Sequence, residues 1–144
     1  MTAPVEFETS IFSKLTEDLG LQEKIVHLME RFCYSSRDVF AVRLSFEEGL
    51  ANAIMHGNQS DESKLVRVTC RIDARELRIQ IQDQGAGFEP DAVPDPTREE
   101  FIERPTGRGL LLMRAYMNRC EFIDGGRCLI MERERNSPLP IIED

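Results

Sequence analysis

Two stretches of alternation, residues 65–73 and 76–83, constrain this chain more than any other feature. In the first, Val66, Val68, Cys70 and Ile72 oppose Leu65, Arg67, Thr69 and Arg71; in the second, Leu77, Ile79 and Ile81 oppose Arg78, Gln80 and Gln82. Successive side chains of a strand point to opposite faces, so each stretch is a strand with one apolar and one polar face. Strands buried on both faces would read as unbroken apolar runs. This pattern instead belongs to an antiparallel sheet covered on one side. The short link at 73–76 makes the two a hairpin.

The covering layer follows from the rest of the chain. Residues 5–12 partly alternate, as an opening strand does. Between 15 and 32 the apolar positions Leu19, Leu21, Ile25, Leu28, Met29 and Phe32 recur at helical spacing. Ser35-Ser36-Arg37-Asp38 supplies oxygens that accept from free first-turn N–H groups, which predicts a second helix over 37–56. It should stop at Gly57-Asn58, both tolerant of the left-handed conformation. A third helix is expected from Gly109 to about Asn118, then strands near 119–124 and 127–134 joined through Gly125-Gly126. Residues 84–106 lack periodicity and contain Pro90, Pro94, Pro96 and Pro105. A stretch of that length without structure of its own reads as a lid. The order β-α-α-β-β-lid-α-β-β predicts an α/β (α+β) two-layer sandwich: a mixed, mostly antiparallel sheet with about three helices on one face. The domain should span 1–136, with the lid at 84–106 and an irregular tail at 137–144.

Composition narrows the function classes. At 144 residues, with 41% hydrophobic and 31% charged, the chain fits one globular domain. A net charge of −8 disfavours nonspecific binding to nucleic acid or anionic membranes, which need a basic face. No apolar run approaches the roughly 18 residues of a membrane span, and the acidic N-terminus does not have a signal-peptide pattern. The expected location is the cytoplasm, with no membrane partner. Cys33, Cys70, Cys120 and Cys128 form no CxxC and have no histidine at ligand spacing, so they read as small buried residues or free thiols.

On the second helix, a step of about 100° per residue puts Val39, Val42, Phe46, Leu50 and Ala53 on one stripe, the expected core face. Glu48 and Asn52, four apart, are neighbours on the opposite side, with Leu44 and Met55 beside Glu48 in projection. A carboxylate and an amide set into a second apolar face suggest a cleft wall, although taken alone they also read as a solvated polar pair. His56 alone reads as a helix-end histidine.

Two glycine motifs add to this. Asp83-Gln84-Gly85-Ala86-Gly87-Phe88 ends a strand and opens the lid, and Gly85 and Gly87 let the backbone approach a flat ligand closely. A carboxylate at that position accepts from the exocyclic amine of adenine and is repelled by the carbonyl oxygen of guanine. Gly107-Arg108-Gly109-Leu110 ends the lid and begins a helix, where free N–H groups and the helix dipole favour an anion such as a triphosphate. Arg104 and Arg108 are the best-placed guanidinium groups for phosphate. Neither a Rossmann GxGxxG nor a Walker P-loop is present.

Together, ExxxNAxxHG (Glu48, Asn52, Ala53, His56, Gly57), DxGxGF (Asp83, Gly85, Gly87, Phe88) and GxGL (Gly107, Gly109, Leu110) resemble the N, G1 and G2 boxes of GHKL ATPases. Within that class the chain is most similar, over about residues 5–134, to bacterial anti-sigma-factor serine/threonine kinases of the RsbW/SpoIIAB type. The resemblance implies a GHKL (Bergerat-type) fold with ATP and Mg²⁺ as cofactors. It implies that Asn52 coordinates the metal, that Asp83 binds the adenine amine with Gly85 and Gly87 beside the base, and that His56 lies near the nucleotide. Gly107, Arg108, Gly109 and Leu110, with Arg104, would hold phosphate under the lid. Glu48 would be the general base toward a Ser or Thr hydroxyl on a STAS-type anti-sigma-factor antagonist, and a sigma factor would be the second protein partner. A homodimer is also implied. The chain departs from many relatives in its Pro-rich lid and in Leu111, where a small residue is common. Two other functions compete with the kinase: a nucleotide-gated binding module without phosphoryl transfer, and a detached histidine-kinase catalytic domain. The last is disfavoured because His27 does not have the acidic neighbour expected after a phosphoacceptor.

Overall fold

A computed structural model describes residues 3–14, 18–86 and 105–138, with the backbone alone at 18–19 and 105–110. The elements in chain order are β1 (Val5–Phe12), α1 (Asp18–Arg31), α2 (Ser36–Asn52), a π-helical turn (Ala53–Gly57), β2 (Leu65–Ile72), β3 (Glu76–Gln82), α3 (Pro105–Tyr116), β4 (Arg119–Ile123), a 3₁₀ turn (Asp124–Gly126) and β5 (Cys128–Glu134). The five strands form one sheet in the order β1-β2-β3-β5-β4. Every pairing is antiparallel, so the expected mixed, mostly antiparallel sheet is antiparallel throughout.

Alternation places the core as expected. Val66, Val68, Cys70 and Ile72 of β2, with Leu77, Ile79 and Ile81 of β3, are all buried beneath the helices. The hairpin between them is pinned by Asp73, whose Oδ1 accepts from the N–H groups of Arg75 and Glu76. α1 contributes Leu21, Ile25, Leu28, Met29 and, just past its end, Phe32 to the same core.

α2 begins as Ser35 and Asp38 predict. Ser35 Oγ accepts from Asp38 N–H, and the Asp38 carboxylate accepts from Ser35 N–H, a reciprocal capping box. Its buried face is Asp38, Ala41, Val42, Ser45, Phe46, Gly49 and Leu50, rotated from the expected stripe so that Val39 is only half-buried. The rotation follows from Gly49. A Cβ there would stand 2.9 Å from Leu129 Cδ2 and 3.1 Å from Ile81 Cδ1, so the helix lies directly on β3 and β5 at a residue without a side chain.

The helix end differs from expectation. The α-helix stops at Asn52 and continues as a π-helical turn, closed by Asn58 N–H to Ala53 O at 2.8 Å. Asn58 has φ −89°, and the left-handed residues are Gln59 and Ser60 at 53° and 58°. The third helix starts at Pro105, four residues before the expected Gly109. Proline suits a first helical position because its φ is preset and its missing N–H would have no partner there. Among the described residues no helix is long and apolar enough to cross a membrane.

Candidate nucleotide site

Of the residues singled out in the sequence, Glu48, Asn52, His56, Asp83 and Gly85 lie around the C-terminal end of α2. Glu48 and Asn52 occupy consecutive turns, with Cβ atoms about 5–6 Å apart at that spacing. Both are half-buried, as is Leu44, while Met55 is 43% exposed and His56 is exposed on the π-helical turn. This helix face mixes apolar and polar side chains, as the helical projection suggests. Burial, and then the neighbouring charge of Glu47, push the Glu48 carboxyl above the usual carboxylate range, which makes it a stronger base.

Gly57 brings this face to Asp83. A Cβ on Gly57 would collide with the Asp83 carboxylate, and a Cβ on Gly85 would collide with the Gly57 carbonyl oxygen. Gly57 is therefore required for its missing side chain and not for a left-handed φ. Asp83 is 7% exposed and lies at the end of β3, with Oδ1 accepting from Gly85 N–H at 2.8 Å. Burial pushes its carboxyl up, partly offset by that hydrogen bond and by Arg127. An ionisable acceptor is thus held in a mostly dry place, where a ligand donor would meet little competition from water.

The third motif approaches from α3. Arg133 Nη1 donates to the Tyr116 carbonyl at 2.6 Å, and the Tyr116 and Phe40 rings meet edge to face at 5.9 Å. These contacts tie the C-terminus of α3 to the N-terminal part of α2. α3 (Pro105–Tyr116) is about as long as α2 from Phe40 to Asn52, each about 18 Å at ~1.5 Å per residue. Packed back along α2, α3 therefore carries its N-terminus toward the Asn52 end. With the helix starting at Pro105, the donors within it that lack an intrahelical acceptor are those of Thr106 and Gly107, and Arg108, Gly109 and Leu110 follow within the first turns. Gly87, Phe88, most of the expected lid and Arg104 lie outside the described residues.

Several residues that build this site carry no site signal in the sequence. Asn58 is fully buried; its Oδ1 accepts from Gln84 N–H at 2.7 Å, and its Nδ2 donates to Ser13 Oγ and Leu65 O. Gln84 Oε1 accepts in turn from Leu65 N–H. Arg127, from the β4–β5 turn, donates to Gly85 O and Ala86 O. The sequence shows only an asparagine directly after His-Gly and an arginine directly after Gly-Gly.

The metal that the resemblance implies can be tested against the donors. Magnesium takes few protein ligands and keeps several waters, so a single amide oxygen is a sufficient anchor. Among the described residues no hydrogen bond engages the Asn52 side chain, which leaves that oxygen available. Also among the described residues, no group of three His, Cys, Asp or Glu could form a rival metal cage. All four cysteines are free, and burial raises the Cys70 thiol to about 12 and the Cys120 thiol to about 11.

Comparison with known proteins bears on the fold and the family. Residues 13–133 match the family model described as the histidine kinase-like ATPase domain. An anti-sigma F factor of Clostridium perfringens is 31% identical over 102 residues, 67% of this chain and 72% of the relative. The serine/threonine-protein kinase BtrW of Bordetella bronchiseptica is 29% identical over 98 residues, 67% of this chain and 69% of the relative. A crystal structure of the RsbU and RsbW domains of a Mycobacterium tuberculosis protein superposes with a TM-score of 0.61 at 13% identity, covering 99% of this chain and 35% of that one. That likeness is one of fold. The five-stranded antiparallel sheet under its helices and the match over 13–133 together establish that this chain belongs to the histidine kinase-like ATPase domain family.

Proposed function

We propose that the chain binds Mg–ATP between α2, the loop after β3 and the N-terminus of α3. In the cytoplasm it would act as an anti-sigma-factor protein kinase, holding a sigma factor and phosphorylating a Ser or Thr of a STAS-type antagonist. The observation that carries this reading is the packing of Gly57 on Asp83 and of Gly85 on Gly57, which unites two motifs 26 residues apart around one buried carboxylate. Relatives named as an anti-sigma F factor and as a serine/threonine-protein kinase support the direction of the assignment.

Each residue then has a task. Asp83 accepts from the adenine amine, Gly57 and Gly85 let the two segments close on that carboxylate, and Gly87 lies beside the base. Asn52 holds the Mg²⁺, which when bound neutralises charge on the phosphates. Free amides at the start of α3, with Arg108 and Arg104, hold phosphate oxygens. His56 lies near the nucleotide. Glu48 takes the proton from the substrate hydroxyl as its oxygen bonds to the γ-phosphorus. The bond from that phosphorus to the β–γ bridging oxygen breaks, and ADP leaves with the electron pair. Burial favours Glu48 for this role, because a carboxylate with a raised pKa is better matched to proton transfer near neutrality.

The test is incubation with labelled ATP and STAS-domain proteins from the same genome, using Glu48→Gln as control. Label should appear on a Ser or Thr hydroxyl, and Glu48→Gln should still bind ATP but transfer roughly 10²–10⁴-fold more slowly. Undiminished transfer by Glu48→Gln would remove Glu48 as the base. ATP binding without transfer to any antagonist would leave the nucleotide-gated binding module as the function.

A further inference from the structure

The loop after β3 is held far more completely than an ordinary glycine turn requires. Asp83 N–H donates to the Arg127 carbonyl at 2.9 Å, Gln84 N–H to Asn58 Oδ1 at 2.7 Å, and Gly85 N–H to Asp83 Oδ1 at 2.8 Å. The carbonyls are engaged as well. Arg127 Nε donates to Gly85 O at 2.9 Å, and its Nη2 donates to Ala86 O at 3.1 Å. Arg127 thus grips the loop twice, by main chain at Asp83 and by side chain at the carbonyls of Gly85 and Ala86. Among the described residues its guanidinium has no carboxylate in ion-pair range, and its remaining contact, Nη1 to Asp124 O at 3.4 Å, is another carbonyl. A planar fork with fixed donor directions suits two adjacent carbonyls as a single flexible amine does not.

We propose that Arg127 is a positioning and specificity-determining residue of the nucleotide site, clamping the loop so that Asp83 is fixed for adenine before nucleotide arrives. This rests on the reading of Asp83 as the acceptor for the base. A loop ordered in advance does not have to be ordered on binding, which raises affinity without a contact to ligand. It also raises discrimination, because a fixed carboxylate cannot swing away from the carbonyl of guanine. The charge of Arg127 acts in the same direction: it favours the ionised acceptor against burial. The other charged neighbours of Asp83 are Lys64 and Asp124, and the π-helical turn packed on it carries His56.

The experiment measures ATP and GTP affinity by calorimetry between pH 5 and 8 for the wild type, Arg127→Ala, Arg127→Lys and Asp83→Asn, with urea unfolding of each. Arg127→Ala should weaken ATP on the order of 10-fold, the scale of one charge-assisted hydrogen bond, and GTP by less, which narrows the preference. Its loss of affinity on acidification should begin at higher pH than in the wild type, because Asp83 then does not have the nearby cation. Arg127→Lys should fall between the two, and it carries the test if the alanine variant does not fold. Equal weakening of ATP and GTP with an unmoved pH profile would overturn the proposal, as would wild-type affinity in both Arg127 variants. Asp83→Asn separates the two levels. If it changes neither ATP affinity nor preference, the adenine reading fails and this inference with it. If it abolishes the preference while the Arg127 variants keep it, only the role of Arg127 is refuted.

Discussion

Replacing Arg133 with methionine should remove a large share of the stability of this fold. Arg133 on β5 and Asp38 in the first turn of α2 are both fully buried, and they meet at 2.8 Å. Arg133 Nη1 and Nη2 also satisfy the carbonyls of Tyr116 and Ser137, so one guanidinium joins α2, the end of α3 and the segment after β5. Asp38 accepts further from Ser35 N–H at 3.1 Å and Asn136 N–H at 2.9 Å. The substitution leaves a buried carboxylate with only these neutral donors, and it orphans two carbonyls. An uncompensated buried charge costs about 3–5 kcal/mol. The residual N–H donors to Asp38 and the lost carbonyl contacts act in opposite directions, so about 4 kcal/mol is expected, against a typical total of roughly 5–15 kcal/mol. With a urea slope near 2 kcal/mol/M, the unfolding midpoint followed by circular dichroism should fall by about 2 M. Adding Asp38→Asn removes the stranded charge while keeping an oxygen for the cap, so the double variant should be more stable than Arg133→Met alone. A midpoint shift below about 0.5 M, or losses that simply add in the double variant, would refute the argument.

The site yields three further expectations. Asn52→Ala should abolish the magnesium-dependent part of ATP affinity in calorimetry; equal affinity with and without Mg²⁺ in the wild type would count against the metal assignment. Asp83→Asn should stabilise the nucleotide-free protein at neutral pH, because a carboxylate whose folded pKa is raised by burial opposes folding while ionised. That advantage should shrink as pH falls through the raised pKa toward the ordinary carboxylate value, where wild-type Asp83 takes up its proton; a pH-independent gap in urea unfolding would refute it. Gly49→Ala should change stability by no more than about 1 kcal/mol, since the gain in helix propensity offsets pressure on the flexible ends of Leu129 and Ile81. It should still slow phosphoryl transfer about 10-fold by lifting Glu48, and an unchanged rate would show that the seating of α2 is not critical.

The parts of this fold that were legible in the sequence are those written in local periodicity. Residues 65–72 and 76–82 could only be a one-sided hairpin, and Ser35 and Asp38 announce the start of α2 within four residues of each other. Asp83, Gly85 and Gly57 were legible as motif members, but their mutual contact was not. Glycine at 57 reads as a helix stop, and only the fold reveals that the space of its missing side chain is taken by Asp83. Asp38 was recognised as a cap, yet its ion-pair partner is 95 residues away and nothing local to either residue points to the other. The site roles of Asn58 and Arg127 are hidden for the same reason, since each bonds across a gap in sequence of 26 or more residues to a loop whose position depends on the whole sheet. The π-helical turn was equally hidden. Inserting one residue into the last turn changes which side chain faces the sheet edge, and no periodicity over five residues can record that.

One strand connects these observations. β5 lies between β3 and β4, so its register sets the relative height of both neighbours. Arg127, immediately before it, holds the loop that presents Asp83. Leu129 and Met131 form the floor on which α2 rests at Gly49, the residue after Glu48. Arg133, two residues further on the same face, grips the start of α2 through Asp38. Leu129, Met131 and Arg133 are consecutive inward positions of β5 and bear in turn on the middle of α2 and on its first turn, while half-buried Arg127, in helical backbone just before the strand, reaches the loop after β3. The separation between Asp83 and the Glu48–Asn52 pair is thereby tied to a rigid strand as well as to the direct contacts of Gly57 and Asn58 with the loop after β3. The proposed function, with an adenine at one end and a transferred phosphate at the other, would need that kind of ruler, because small errors in position are expensive in rate.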